Sequence, residues 1–93
     1  MIEIHQFDRE TKGFFKATED GQEAGRMTYS WANDDRIIID HTEVNDAFRG
    51  RSVGNKLVEA AVAFARKAGI KIIPLCPFAK SVFDKTPEYR DVL

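Results

Sequence analysis

The single cysteine, Cys76, stands directly before Pro77, where a β-rich apolar run (Ile70–Cys76) gives way to a helical pattern. Proline favours the first position of a helix, so Cys76 falls at the expected N-cap. There the helix dipole favours a thiolate and lowers the thiol pKa from its ordinary value of about 8.5. An accessible thiol so placed is a nucleophile, and a buried one is an inert small apolar side chain; residue types alone leave both readings open. Upstream, His41 and Glu43 lie two apart in the run Arg36–Val44. Residues two apart share a strand face, and parallel pairing with the run ending in Cys76 would set that face beside the thiol. Either side chain is then a candidate base for Cys76 or for an incoming nucleophile. The alternatives are a hydrogen-bonded core histidine, and a Glu43 that only pairs with Arg49 or Arg51.

Between these residues lies Val44–Gly54, VNDAFRGRSVG, which joins a strand to the strongest helical pattern in the chain. The first amides of a helix have no intrahelical acceptor, and with the dipole they form a natural anion site. Gly50 and Gly54 allow close approach of a ligand to the backbone. Arg49 and Arg51 can add charge-assisted hydrogen bonds worth about 1.5–3 kcal/mol each where partly desolvated. The amides from Arg49 to Asn55, Ser52 and Val53 included, are the expected anion donors. The plain alternative is a loop whose glycines serve the turn and whose arginines are solvated. Neither G-x-x-x-x-G-K-[ST] nor G-x-G-x-x-G occurs, so no P-loop or dinucleotide fingerprint is supported.

The elements that must position these groups follow from periodicity. Ile2–Phe7, Gly13–Glu19, Glu23–Trp31 and Arg36–Val44 read as strands. Asp20-Gly21 makes a hairpin of the second and third, Gly25 marks a bulge, and the isoleucines of the fourth suggest a strand covered on both faces. Residues 8–12 are a polar connection. A helix runs from about Ser52, its cap, to Lys67 or Ala68, with Val53, Leu57, Ala60, Ala61, Phe64 and Ala68 as its apolar stripe and Gly69 as its stop. The run Ile70–Cys76 then returns parallel to the fourth strand by a right-handed crossover. A short helix from Pro77 and a tail from Thr86-Pro87-Glu88 close the chain. The order is ββββαβα plus a short helical tail: an α+β, or mixed α/β, fold with a mostly antiparallel sheet and one β-α-β crossover, residues 1–93 forming a single domain. Phe15, Tyr29 and Trp31 are expected core aromatics, and Phe78 and Phe83 core or ligand-wall residues.

Composition narrows the function classes. With 93 residues there is room for one core. The longest unbroken apolar run, Ala60–Ala65, is far shorter than the roughly 18–20 residues a membrane span needs. MIEIHQFDRE lacks the order of a signal peptide and a lone cysteine forms no internal disulfide, so a reducing, cytoplasmic setting is expected. The net charge of −1 conceals an acidic first half, with eleven Asp and Glu against five Lys and Arg in residues 1–46, and a basic second half, four against nine. Arg49, Arg51 and Lys56 fall together without an acid among them. That suits a local anion site better than a nucleic-acid groove, which needs a spread basic surface.

The same residues resemble the GNAT acetyltransferases, in which a strand ending in Val leads through a short loop to [RQ]-x-x-G-x-[GA] at a helix start, whose amides hold the pyrophosphate of acetyl-CoA. Val44, Arg49, Val53 and Gly54 fit in register, and Ser52 stands where the first glycine is usual. HTEV at 41–44, FRGRSVG, KLVEAAVAFARKAG, PLCPF at 74–78 and TPEY at 86–89 are similar to a subfamily of very small GNAT-like proteins with a cysteine near the acetyl group. The resemblance implies an acetyl-CoA or CoA ligand, an N-acetyltransferase acting on an unidentified amine through acetyl-Cys76, and Glu43 or His41 as base. The alternative is a non-catalytic CoA or acyl-CoA sensor working with a partner. Tyr89 resembles the tyrosine proton donor of many GNATs but comes late for it, and packing is its other role. A usual GNAT builds its acceptor pocket from helices after the first strand and strands after the last helix, where this chain has only residues 8–12 and 77–93. The implied acceptor is a protein or other macromolecule bringing its own surface, or a second subunit completes the site.

Overall fold

The computed structural model describes all 93 residues. Four strands of alternating apolar and polar side chains, β1 (Glu3–Asp8), β2 (Lys12–Glu19), β3 (Gln22–Asn33) and β4 (Arg36–Val44), pair antiparallel in chain order. Asp20 and Gly21 both take positive φ, 52° and 81°, the requirement of the two-residue turn whose twist suits a β2–β3 hairpin. The helix α1 (Val53–Ala68) ends at Gly69, whose left-handed φ of 71° terminates it, and carries the chain to β5 (Lys71–Pro74). β5 runs parallel to β4, with Ile37 opposite Ile72 and Ile39 opposite Pro74, so the sheet order is β1-β2-β3-β4-β5. A second helix, α2 (Pro77–Lys85), and a 3-10 turn, Pro87–Val92, complete an α+β fold.

Both helices pack on one side of the sheet. Phe15, Met27, Tyr29, Ile37, Ile39 and Ile72 join the buried faces of α1 and α2 in one cluster. The buried rows of α1 are Val53–Leu57–Ala61–Ala65 with Gly54–Val58–Val62, a stripe turned from the expected one: Ala68 is exposed, and Ala60 and Phe64 sit at its half-buried margin. The opposite face of the sheet carries no helix. The expectation that β4 is covered on both faces is therefore corrected: Ile37 and Ile39 are fully buried, whereas Ile38 is half-buried and its β5 neighbour Ile73 is 39% exposed. An isoleucine run reads as doubly covered because β-branched side chains suit either face, and here only one face has a partner layer.

Three irregularities interrupt the sheet: one leaves Ala32 of β3 unpaired between Trp31 and Asn33, and the other two bear on the site. Ala24 is the extra residue of β3 between Glu23 and Gly25, one position before the glycine that signalled it. Gly25 itself is where backbone crowds: a Cβ there would lie 2.8 Å from the Glu43 carbonyl oxygen and 3.0 Å from Val53 Cγ1. On β4 the pairing jumps from Thr28–His41 to Tyr29–Ile39, leaving Asp40 unpaired. A one-residue bulge reverses which side chains face which layer. Before it, Ile37 and Ile39 face the helices. After it, Thr42 opposite the buried Met27 does so, while His41 opposite Thr28 and Glu43 opposite Arg26 face solvent.

Candidate functional site

The strands β4 and β5 stay paired only to Ile39 and Pro74, after which one further bond, from the Cys76 amide to the Ile39 carbonyl (3.0 Å), holds them before they part. From His41 to Val44, β4 is paired to β3 alone, so its other edge has no strand partner. Cys76 lies just beyond β5, which ends at Pro74 rather than at the expected Cys76, and it occupies the N-cap position of α2 with Pro77 in the first helical position. Its Sγ lies 3.5 Å from Thr42 Oγ1, and the residue is 5% exposed. Burial pushes the thiol pKa up. Hydrogen bonding from the Thr42 hydroxyl and from the amides of Ala79 and Phe78 outweighs it, so the net direction is downward from the ordinary thiol value.

Thr42, not His41 or Glu43, therefore faces the thiol. His41 Nε2 and Glu43 Oε1 lie 3.0 Å apart on the open face, with side chains 62% and 76% exposed. The expected juxtaposition with Cys76 is corrected on two counts: parallel pairing stops before His41, and the Asp40 bulge reverses the alternation on which the expectation rested. The signal for Thr42 was in the sequence, because an inward Val44 has the opposite parity to inward Ile37 and Ile39. His41 is no core residue, and Glu43 pairs with neither Arg49 nor Arg51.

The loop after β4 begins with Asn45, whose Oδ1 accepts from the Ala47 amide (3.0 Å) to cap a 3-10 turn, Asp46–Phe48. Gly50 has φ 81° and Ser52 φ 60°, two left-handed residues that swing the chain into α1. Ser52 precedes α1 as anticipated, but its side chain makes no cap bond. A left-handed backbone, not capping, is what the position demands, which is the physical reason glycine suits it. The amides of Arg49, Arg51 and Lys56 bond within the segment, to Asp46, Phe48 and Ser52. Those of Gly50, Ser52, Val53, Gly54 and Asn55 have no acceptor in the protein and line or border one small hollow of about 240 Å³, walled by Val44, Phe48 and Phe78.

Two expectations about that loop change. A Cβ on Gly54 would lie 2.4 Å from Phe78 Cζ, so this glycine seats the 41%-exposed Phe78 ring against α1. Arg51 turns away from the hollow to make a bidentate pair with Glu19 at the end of β2, both distances 2.7 Å, and its guanidinium also lies over the Phe48 ring. Arg49 lines the hollow and holds Asp46 at 2.9 Å in an exposed pair that water can exchange. Tyr89 packs edge-on against Phe83, ring centroids 5.9 Å apart, in the groove between α1 and α2, and burial pushes its pKa up. Tyr29 is a core aromatic as expected but carries polar work too. Its hydroxyl donates to Asp8 (2.6 Å), which also accepts from Trp31 Nε1 (2.9 Å), and Asp8 is the last residue of β1 rather than the first of the expected connection.

The fold is thus a mixed sheet whose fourth and fifth strands part over a thiol, beside a helix start with free amides. The family profile described as GCN5-related N-acetyl-transferase matches residues 14–92, and the chain belongs to that family. It is 26% identical over 82 residues to Protein NATD1 of Xenopus tropicalis, covering 88% of this chain and 75% of that protein. The solution structure of a GCN5-like protein from Staphylococcus aureus shares 37% identity and superposes with a TM-score of 0.71 over 97% of this chain and 85% of that one. A streptothricin acetyltransferase-like protein of Bacillus anthracis, solved in complex with acetyl coenzyme A, shares the fold alone, at 18% identity and a TM-score of 0.59 over 70% of this chain and 38% of that one.

Proposed function

We propose that the protein is an acetyl-CoA-dependent N-acetyltransferase in which Cys76 carries the acetyl group, and that the acceptor amine arrives on a macromolecule where β4 and β5 part. The carrying observation is that the Cys76 thiol, its pKa lowered, sits where β4 and β5 part, beside the loop whose free amides border the hollow. Free amides of Gly50 and Ser52–Asn55 suit a pyrophosphate, with Arg49 adding charge. The unpaired edge of β4 suits the amides of a pantetheine arm, and Val44, Val53 and Phe78 its apolar wall. Arg51, committed to Glu19, serves the loop rather than the ligand.

In this scheme the Cys76 thiolate attacks the thioester carbonyl carbon, a new S–C bond forms, and the CoA thiolate leaves and takes a proton from solvent. The exchange joins thiolates of similar basicity and lies near thermoneutrality. The amine then attacks acetyl-Cys76, the C–N bond forms as the C–S bond breaks, Cys76 leaves as a thiolate, and the amine proton passes to water. The short Arg9–Thr11 connection supports an acceptor that brings its own surface or a completing subunit. The lone free thiol supports a reducing, cytoplasmic setting.

The 5% exposure of Cys76 favours a second reading, a CoA or acyl-CoA sensor with a structural cysteine. Intact-protein mass spectrometry after incubation with acetyl-CoA separates the two. The enzyme gains one acetyl group, removable by hydroxylamine and absent from Cys76→Ser. An unmodified protein whose Gly50–Asn55 amide resonances still shift with CoA is the sensor. Absence of any shift with CoA or acetyl-CoA removes the ligand assignment itself.

A further inference from the structure

We propose that Glu19, at the far end of the β2–β3 hairpin, is a positioning residue for the anion loop, holding Arg51 so that the amides of Gly50–Asn55 stay convergent. The inference rests on the CoA reading above for its ligand, and on geometry for its mechanism. The loop is tied to the hairpin end at both of its own ends. At the start, the Asn45 amide donates to the Ala24 carbonyl (2.8 Å) and Asn45 Nδ2 to the Glu23 carbonyl (3.3 Å). At the finish, the two Arg51 amino groups take both oxygens of Glu19, whose side chain is only 14% exposed. Gly50 lies between these anchors and Ser52 directly follows the second, both with positive φ, and no other side-chain hydrogen bond holds them.

A bidentate guanidinium–carboxylate pair fixes orientation as well as distance. The Arg51 side chain is further pinned over the Phe48 ring, so the residue directly before Ser52 cannot rotate freely. Ser52 carries a left-handed backbone that a non-glycine residue holds only when its surroundings enforce it. Glu19 is 32 residues away in sequence and supplies that enforcement. The ion pair holds the Glu19 carboxyl below the ordinary carboxylate range, in keeping with a permanently charged clamp.

The test compares wild type, Glu19→Gln, Arg51→Gln and the double variant, each confirmed folded by its amide spectrum. Two readouts are used, affinity for CoA against affinity for pantetheine, which lacks the pyrophosphate, and hydrogen exchange of amides 49–55. Glu19→Gln is expected to weaken CoA about three- to tenfold while leaving pantetheine within twofold. It is also expected to speed exchange at 49–55 but not in the second half of α1. The double variant should be no worse than Arg51→Gln, since the two side chains act as one unit. Glu19→Gln that binds CoA as tightly as wild type or tighter overturns the proposal, because Arg51 is then freed rather than lost. Equal weakening of CoA and pantetheine overturns it too, by showing a general structural role. If wild type binds no CoA, the ligand reading falls, and the exchange rates alone decide whether Glu19 orders the loop.

Discussion

The last five residues of β4 present two unlike surfaces. On the helix side, Thr42 and Val44 meet the buried Cys76 and the loop that enters α1; on the open side, His41 and Glu43 hold each other in solvent. One extra residue, Asp40, separates the two sets. The same sequence paired without the bulge would send His41 and Glu43 inward with Ile37 and Ile39, burying two ionisable groups beside the thiol at a cost of several kcal/mol. The bulge thus sorts by polarity: Thr42 and Val44 face the helices, and the ionisable His41 and Glu43 face out.

Substitutions on the two faces should separate accordingly. The largest effect belongs to the helix side. Cys76→Ser abolishes the hydroxylamine-sensitive acetyl adduct while CoA still shifts the Gly50–Asn55 amides, and an adduct persisting in that variant would place the acetyl group elsewhere. Next comes Thr42→Val, which removes the hydroxyl nearest the thiol. Thr42 lowers the Cys76 pKa, so its loss moves the midpoint of alkylation to higher pH and slows alkylation at neutral pH about three- to tenfold. An unchanged midpoint would leave the backbone amides of Phe78, Ala79 and Thr42 as the stabilisers of the thiolate. Glu43→Gln, on the face turned away from the thiol, has the smallest effect of the three: it leaves adduct formation and the iodoacetamide profile of Cys76 unchanged and amine transfer within about twofold. A shifted profile would mean the two faces communicate.

The order of elements was legible because local signals carried it: period-two strands, Asp20-Gly21 at the hairpin, Gly69 ending α1, Pro77 beginning α2. The loop Val44–Gly54 was legible for the same reason, since a strand, glycines and a helix start are contiguous. The features that escaped are those set by partners distant in sequence. The bulge at Asp40 has no glycine to announce it, and its effect on His41 and Glu43 exists only against the register of β3. Arg51 reads as an anion ligand until Glu19 is brought to it from the other end of a hairpin. The uncovered face of β4 depends on which layers exist at all, a fact no isoleucine encodes.

Ser52 gives the finest test of the helix-side surface, because sequence and structure explain it differently. As a sequence feature it is a departure from glycine that a side-chain cap would justify. In the structure the cap bond is missing and φ is 60°, which costs a non-glycine residue about 1–2 kcal/mol. Ser52→Gly relieves that cost but enlarges the freedom of the unfolded chain, a penalty of about 0.4–1 kcal/mol. The net gain lies between zero and about 1.6 kcal/mol, so thermal denaturation should show Tm raised by no more than about 8 °C. CoA affinity should stay within about twofold of wild type, since the amide is retained. Ser52→Val, with a branched side chain forced into the same left-handed well, should lower both. A fall in Tm for Ser52→Gly would mean the serine hydroxyl makes a stabilising contact in solution, and the loop would then owe its shape to that contact rather than to the Glu19–Arg51 clamp.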